Sequence, residues 1–465
     1  MKTFELFLNV VNIFFFIYLL LYSTYLFVSV LIGANHLYKK EQMNVIRNQL
    51  THDYYLPISL LIPAYNEEIT IVDSIRSLVN LDYRLYEIII IDDGSKDKTV
   101  QKLLEAFNLT EVSRPIHMSL SCAPLKKIYE GSVNHVSITL ISKENGGKGD
   151  SLNMGINASR FPYFICIDAD SMLQKDALEK IIQPVMEDEK VIAVGGLIRA
   201  AQCAELKDGK VIRYHMPMNP IVCMQAVEYD RSFLASRILM DQFNGNLIIS
   251  GAFGLFKKDI VIACGGYDSS TLGEDMELVV RLHVFCRNNL IDYAIRYEPQ
   301  AICWSQVPES MKDLCKQRRR WHLGLFQSMT RHYKIFMNFK FGLVSFISYM
   351  YYLFFELLSS IIEVFGITVM ILSGLLGYLN IPFMIEFFLL YSIYGAVLTM
   401  TAFFQRIYIQ HLKLTFTDVL KAILSCILEN VFYRYILSFV RVTAFIGYKK
   451  RKHVWGSIQR YSQSS

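Results

Sequence analysis

Two apolar stretches bracket a middle that alternates as a water-soluble domain does. The first covers Phe4–Ile32, the second begins near Phe341, and Pro57 to about Trp304 lies between them. Residues 6–32 predict a helix of about 40 Å, enough to cross a hydrocarbon layer of about 30 Å with tilt. That run exceeds the apolar core of a signal peptide and shows no clear small-residue cleavage site, so it reads as a retained anchor. Gly33 to Leu56 is polar and leads into the middle block.

Within that block short β-branched runs alternate with helical periodicity, which predicts a mostly parallel sheet flanked by helices. The expected strands are Ile58–Ile62, Glu87–Ile91, Val136–Leu140, Tyr163–Ile167 and Val191–Val194, with helices at about 67–79, 99–107, 148–158 and 174–186. Leu109–His135 reads as an irregular surface insertion without assigned chemistry. Ligands of open parallel sheets bind beyond the carboxyl ends of the strands. Tyr65 and Glu67, Asp92-Asp93, and Asp168-Ala169-Asp170 each follow an expected strand, so pattern alone sends them to one rim.

Periodicity weakens from Ala200 to Glu309, where helices are expected at Gln225–Arg237 and from Glu274. Another starts near Pro308-Glu309 and carries Gln317-Arg318-Arg319-Arg320-Trp321. Leu323–Phe341 mixes Arg331, His332, Lys334 and Lys340 with Phe and Met, as a helix lying in a membrane interface would. Leu343–Leu379 and Phe383–Tyr408 are long apolar runs. Phe416–Tyr448 is amphipathic and reads as interfacial, re-entrant or lining a polar path. A cytosolic domain and a basic cytosolic tail need an even number of crossings between them. Two crossings with an interfacial last helix are preferred over a split 343–379 run with a crossing last helix.

Over the 465 residues, apolar residues make up 53% and charged residues 19%, and the net charge is +5. The charge does not indicate nucleic acid, because Lys39, Lys40, Arg47 and Lys449 to Lys452 flank apolar runs and so mark a cytoplasmic side. The nine cysteines form no metal-type pair and read as reduced thiols of a cytosolic domain.

Singly, the polar motifs have plain explanations. Asp and Gly after a strand make turns, acidic residues favour helix N-termini, and Ser250-Gly251 suits a buried turn. A glycine-flanked Lys148 opening a helix can meet phosphate with side chain and backbone, although the Walker spacing is absent. Arg318 and Arg319 read as membrane-surface charge. Glu356, Glu363, Glu429 and Arg434 sit in apolar stretches, where ionisable groups face a protein interior or a polar path; pairing of Glu429 with Arg434 is one expectation.

Together and in this order, with membrane close behind, the motifs from Pro57 onward resemble those of the processive family 2 glycosyltransferases: cellulose, chitin, hyaluronan and poly-N-acetylglucosamine synthases. The spacing from Gly265-Gly266-Tyr267-Asp268 to Glu274-Asp275 looks closest to the last two. The resemblance implies a cytosolic α/β glycosyltransferase domain of GT-A type with a mostly parallel sheet, plus transmembrane and interfacial helices. The implied division is an anchor at 1–36, the transferase domain at 57–309, the Gln-x-x-Arg-Trp and interface helices at 310–342, membrane helices at 343–448 and a basic tail at 449–465. It further implies an inverting enzyme of the plasma or inner membrane, with a cytosolic catalytic domain. This enzyme would polymerise UDP-N-acetylglucosamine or UDP-glucose into a β-linked glycan and translocate it. Implied donor contacts are Tyr65, Glu67, Asp92, Asp93, Lys148, Asp168 and Arg320, and implied acceptor contacts Ser250, Gly251, Gln317 and Trp321. Asp275 matches the catalytic base, although Gly273 stands where relatives commonly have Thr. Asp170 and Asp168 match positions for Mg2+ or Mn2+, which suits hard cations that use one or two carboxylates plus phosphate. Implied partners are the donor, a growing glycan or lipid acceptor, membrane lipids and an accessory membrane protein. Two other readings stay open: a non-processive enzyme that glycosylates a lipid, and an inactive membrane scaffold.

Overall fold

Continuous runs of Ile, Leu and Val become the central strands of a ten-stranded sheet. The structure is a computed structural model, and it describes residues 2–47, 55–207, 209–410 and 412–446. The expected basic tail therefore lies outside the described residues. The sheet runs in the order Thr110–Val112, Leu125–Val133, Val136–Lys143, Tyr86–Asp92, Ile58–Ala64, Tyr163–Ile167, Phe253–Lys257, Val191–Ala200, Ala294–Ser305 and Met172–Leu173. The four strands from Val136 to Ile167 in this order are parallel, as are Val191–Ala200 and Ala294–Ser305; the other neighbours are antiparallel. Alternation sends Leu60, Ile62, Ile88 and Ile90 into one buried cluster and Leu61, Ile89 and Ile91 into the other. A sheet covered on both faces needs this continuous apolarity.

All five expected strands form, and helices occupy Ile71–Val79, Thr99–Phe107, Lys148–Ala158 and Ala177–Glu187. The segment 109–135 differs from expectation. It supplies two antiparallel strands that extend the sheet edge, Thr110–Val112 and Leu125–Val133. An outer strand with exposed Lys126 and Lys127 and a half-buried Glu130 carries no continuous apolar run, so its pattern resembles a loop.

The N-terminal helix runs from Lys2 to Arg47, so much of the polar segment after Gly33 is helical. Its inner end is held by an ion pair between Lys40 and buried Glu298. Residues 323–341 are not one interfacial helix: the Met311–Arg331 helix ends at His332, and two short turns follow at Tyr333–Ile335 and Phe339–Phe341. Positive φ values at Met337 (47°) and Gly342 (54°) interrupt the helix there.

Among the described residues, three helices are long and apolar enough to cross a membrane: Glu5–Met43, Ile381–Tyr408 and Phe416–Phe445. A fourth such element is the pair Val344–Leu357 and Ser359–Leu375, bent by 44°. Parts of Val344–Leu357 are wound in wide π turns, which shifts the apolar face that a regular helix would present.

Buried ion pairs fasten these helices to the sheet domain. Arg406 donates to Asp230 at 2.9 Å and Arg231 to Glu429 at 2.8 Å. Glu429 and Arg434 do not pair with each other; Arg434 takes Glu363 at 2.6 Å, and Ser438 donates to the same carboxylate at 2.5 Å. Neighbouring helices thus supply closer partners than the chain's own next turn.

Removing one member of a buried pair strands the other charge, which costs about 3–5 kcal/mol. Arg406→Leu should lower the melting temperature of the detergent-solubilised protein clearly, and Asp230→Leu added to it should recover part of the loss.

Candidate active site

The rim residues converge. Tyr65 and Glu67 follow the first central strand, Asp93 the second, and Asp168 and Asp170 the strand Tyr163–Ile167. Lys148 opens its helix, Ser250 and Gly251 form the turn before Phe253–Lys257, and Asp275 lies in the first turn of Glu274–Asn288. With Gln317, Arg320 and Trp321 of the Met311–Arg331 helix, all of them line one cavity of about 1630 Å³. The same cavity is also lined by Tyr351 and Phe355 and by Tyr22, Glu363 and Arg434 of the apolar helices.

Asp92 is the exception. It is 2% exposed, is absent from the lining, and its carboxylate accepts from Ser95 N and from Ser142 Oγ, both at 3.1 Å. Asp93 reaches the lining but is also committed. It accepts from Lys143 Nζ at 2.5 Å, Gly146 N at 2.9 Å and Gly147 N at 2.8 Å, and so holds the glycine turn that presents Lys148. Lys143 is fully buried and also pairs with Asp150 at 2.7 Å. Its motif-free sequence position gave no signal of this.

The charge cluster centres on Lys148. Its ammonium pairs with Asp168, lies 3.9 Å from Glu274 and donates to the Gly251 carbonyl at 3.4 Å. Burial disfavours its charge, but Asp168, Glu274 and Asp275 outweigh that and raise its pKa. Burial pushes Glu274 up to about 7, with Lys148 opposing and Asp275 adding. Glu274, which reads from sequence as a helix-start residue, is thus a buried titratable member of the site. Asp275 is oriented by Gly251 N at 3.2 Å and by Met276 N at 2.8 Å.

A glycine pair brings the Gln-Arg-Arg-Arg-Trp helix to this cluster. A Cβ on Gly273 would stand 2.9 Å from Gly324 Cα, and one on Gly324 would stand 2.8 Å from Gly273 Cα. The backbones touch, which accounts for glycine at both positions. Arg318 is not a membrane-surface charge: it is 5% exposed and donates to Glu228 at 2.5 Å, an interior partner brought by tertiary structure. Arg319 is half-buried and donates to Thr443 Oγ1 at 3.1 Å.

Comparison with known proteins agrees with this architecture. A family profile described as "Glycosyltransferase like family 2" matches residues 126–324, and "Glycosyl transferase family 2" matches residues 59–119. A poly-beta-1,6-N-acetyl-D-glucosamine synthase of Staphylococcus aureus (strain COL) is 30% identical over 324 residues, covering 69% of this chain and 67% of the relative. The Staphylococcus epidermidis synthase of the same name is 30% identical over 321 residues, covering 68% and 66%. The chain belongs to glycosyltransferase family 2.

A mannosyltransferase from Pyrobaculum calidifontis, solved with GDP-Man and Mn2+, matches 89% of this chain and 98% of its own at TM-score 0.52 and 15% identity. That likeness is one of fold. The chain is accordingly a glycosyltransferase of GT-A type, with a parallel centre to its sheet and apolar helices at both ends.

Two outcomes follow for this glycosyltransferase. Ala at Gly324 forces the crossing helices apart, and overpacking of this kind costs about 1–3 kcal/mol. Gly324→Ala should therefore lower both the melting temperature and sugar transfer, measured as UDP release. The second concerns pH. The folded pKa of Glu274, about 7, exceeds its ordinary 4.5, so between these values the folded chain holds a proton the unfolded chain has lost. Stability from this group is therefore full below the lower value and falls as pH rises toward the upper one. Melting curves from about pH 5 to about pH 7.5 should fall less steeply for Glu274→Gln than for wild type.

Proposed function

We propose that this glycosyltransferase polymerises a UDP-sugar, UDP-N-acetylglucosamine or UDP-glucose, into a β-linked glycan at the cytosolic face and passes the product into the membrane. The observation that carries the proposal is the one cavity that joins the sheet rim to Tyr22, Glu363 and Arg434 of the apolar helices. A transferase whose acceptor and product are both water-soluble has no use for such a continuation. The relatives are named as polymer synthases, which supports the same reading and favours N-acetylglucosamine.

In this reading Tyr65 and Glu67 receive the nucleoside, while Asp92 and Asp93 act by holding the turns around it. Lys148 and Arg320 take the diphosphate; Arg320 is suited to paired bonds with its oxygens. Asp275 deprotonates the acceptor hydroxyl, within reach of a sugar that rests on Trp321 beside Gln317, Ser250 and Gly251. Attack on the face opposite the leaving diphosphate inverts an α-linked donor to a β-linkage.

Asp168 and Asp170 flank buried Ala169 on the cavity wall, and among the described residues no group of three or more His, Cys, Asp or Glu is placed to hold a metal. Two carboxylates fit a magnesium or manganese ion whose remaining ligands are phosphate and water. When bound, the ion supplies charge neutralisation of the departing diphosphate.

The division proposed from sequence, with an anchor at 1–36, a transferase domain at 57–309, a helical junction at 310–342 and membrane helices at 343–448, is supported by where the last helix is tied. Near its start Asp418 accepts from Met216 N at 3.0 Å, and at its end Thr443 accepts from Arg319 at 3.1 Å. Both ends meet the transferase side, as an interfacial helix requires. This leaves an even number of crossings between the domain and the tail, with the enzyme multi-pass in the cell membrane and its domain cytosolic. Whichever accessory membrane protein assists, the transfer site is built from this chain's own residues.

The test is a panel of radiolabelled UDP-sugars with membranes carrying wild type or Asp275→Asn, products being sized on a gel. One donor should give a high-molecular-weight product, and the variant should lose about 10²- to 10⁴-fold in rate, the size of a general-base contribution. A short, lipid-extractable product from wild type would replace polymerisation by lipid glycosylation.

A further inference from the structure

The Gln-x-x-Arg-Trp helix carries an arginine that lies outside the matched positions yet touches the tryptophan. Arg318 and Trp321 are three residues apart and so share a helix face. The Arg318 guanidinium lies 4.8 Å from the centre of the Trp321 ring. Arg318 is almost fully buried, while Trp321 stays 42% exposed on the cavity wall.

The arginine is itself held. Its Nη2 donates to Glu228 at 2.5 Å, from the Pro220–Arg231 helix, and Tyr433 of the last helix donates to the same carboxylate oxygen at 3.5 Å. Leu314, one turn earlier, packs against Tyr433 and Leu437. The ring is thus backed by a fixed guanidinium plane that is tied both to the transferase domain and to the helix along the cavity.

We propose that Arg318, fixed by Glu228, is a positioning residue for acceptor binding: it covers one face of Trp321 and holds the ring so that its exposed part receives the glycan terminus. This rests on the reading of Trp321 as the acceptor platform. A planar guanidinium does this and an ammonium does not, because only the former can lie flat on the ring while its Nη2 keeps the hydrogen bond to Glu228.

The experiment uses the full chain in membranes with UDP-N-acetylglucosamine and a short β-1,6-linked N-acetylglucosamine oligomer as acceptor. UDP release is followed with and without the oligomer in wild type, Arg318→Lys, Arg318→Met and Trp321→Ala. Both Arg318 variants should raise the acceptor KM roughly tenfold, the scale of a desolvated cation–π contact, and leave donor KM and acceptor-independent UDP release unchanged. Arg318→Lys keeps the ion pair with Glu228 and should retain the wild-type melting temperature while losing acceptor affinity. If Arg318→Lys shows wild-type acceptor KM, charge alone suffices and the proposal is overturned, whether or not Arg318→Met folds. If Trp321→Ala leaves acceptor KM unchanged, the platform reading itself fails, and the proposal with it.

Discussion

The contact between Gly273 and Gly324 sets the distance on which the site depends. The cap residue of Glu274–Asn288 lies against the middle of Met311–Arg331 with no side chain between them, and the Cβ position on either side is closed by the opposite backbone. Because the crossing is this close, Arg320 and Trp321 on one helix reach the cavity that Glu274 and Asp275 on the other also line. The Leu272 amide donates to Gln327 at 2.8 Å beside the crossing, which fixes the rotation of one helix against the other. A threonine at 273 would need a smaller or displaced partner, so the two glycines make sense only as a pair.

How much of this could be read from the chain follows from what each residue's environment is made of. The central strands were legible because burial on both faces forces an unbroken apolar run, and Tyr163–Ile167 forms with the bounds its pattern predicts. The rim was legible because strand ends in a parallel sheet point one way. The outer strand Leu125–Val133 was not, since a half-exposed edge has no apolar signature. The π turns in Val344–Leu357 were not, because their hydrogen bonding leaves no mark on composition. Arg318 and Glu429 were misplaced for a common reason: a charge in a helix says that a partner is needed, and only tertiary structure says which. Asp92 and Asp93 show the reverse case, in which the motif marks the place correctly while the carboxylates are occupied by the fold.

Those occupied charges explain how the two halves of the molecule are joined. Asp230 with Arg406, Glu429 with Arg231 and Glu298 with Lys40 each link the sheet domain to an apolar helix. Apolar contact alone would let such helices slide, since one greasy face suits many registers. A buried pair does not, because any slip exposes an unpaired charge to low dielectric. These pairs, with the core that Leu37, Phe403, Ile407, Ala422 and Cys426 share with the sheet domain, keep the cavity aligned from the sheet rim to Glu363 and Arg434.

Alignment also bears on charge at the rim. Asp168, Asp170, Glu274 and Asp275 face the cationic side chains of Lys148 and Arg320, so the wall carries more acid than base. Burial raises the pKa of Glu274, Lys148 opposes the shift, and the neighbouring charge of Asp275 adds to it. A nucleoside diphosphate is itself an anion and would be repelled by a wall in this state. In the proposed reading, Asp168 and Asp170 would hold a divalent cation that reverses the sign, and Lys148 would then be released from Asp168 toward phosphate. Two carboxylates that share the ion with the donor's phosphates, rather than a complete protein-built metal cage, would suffice for such a site.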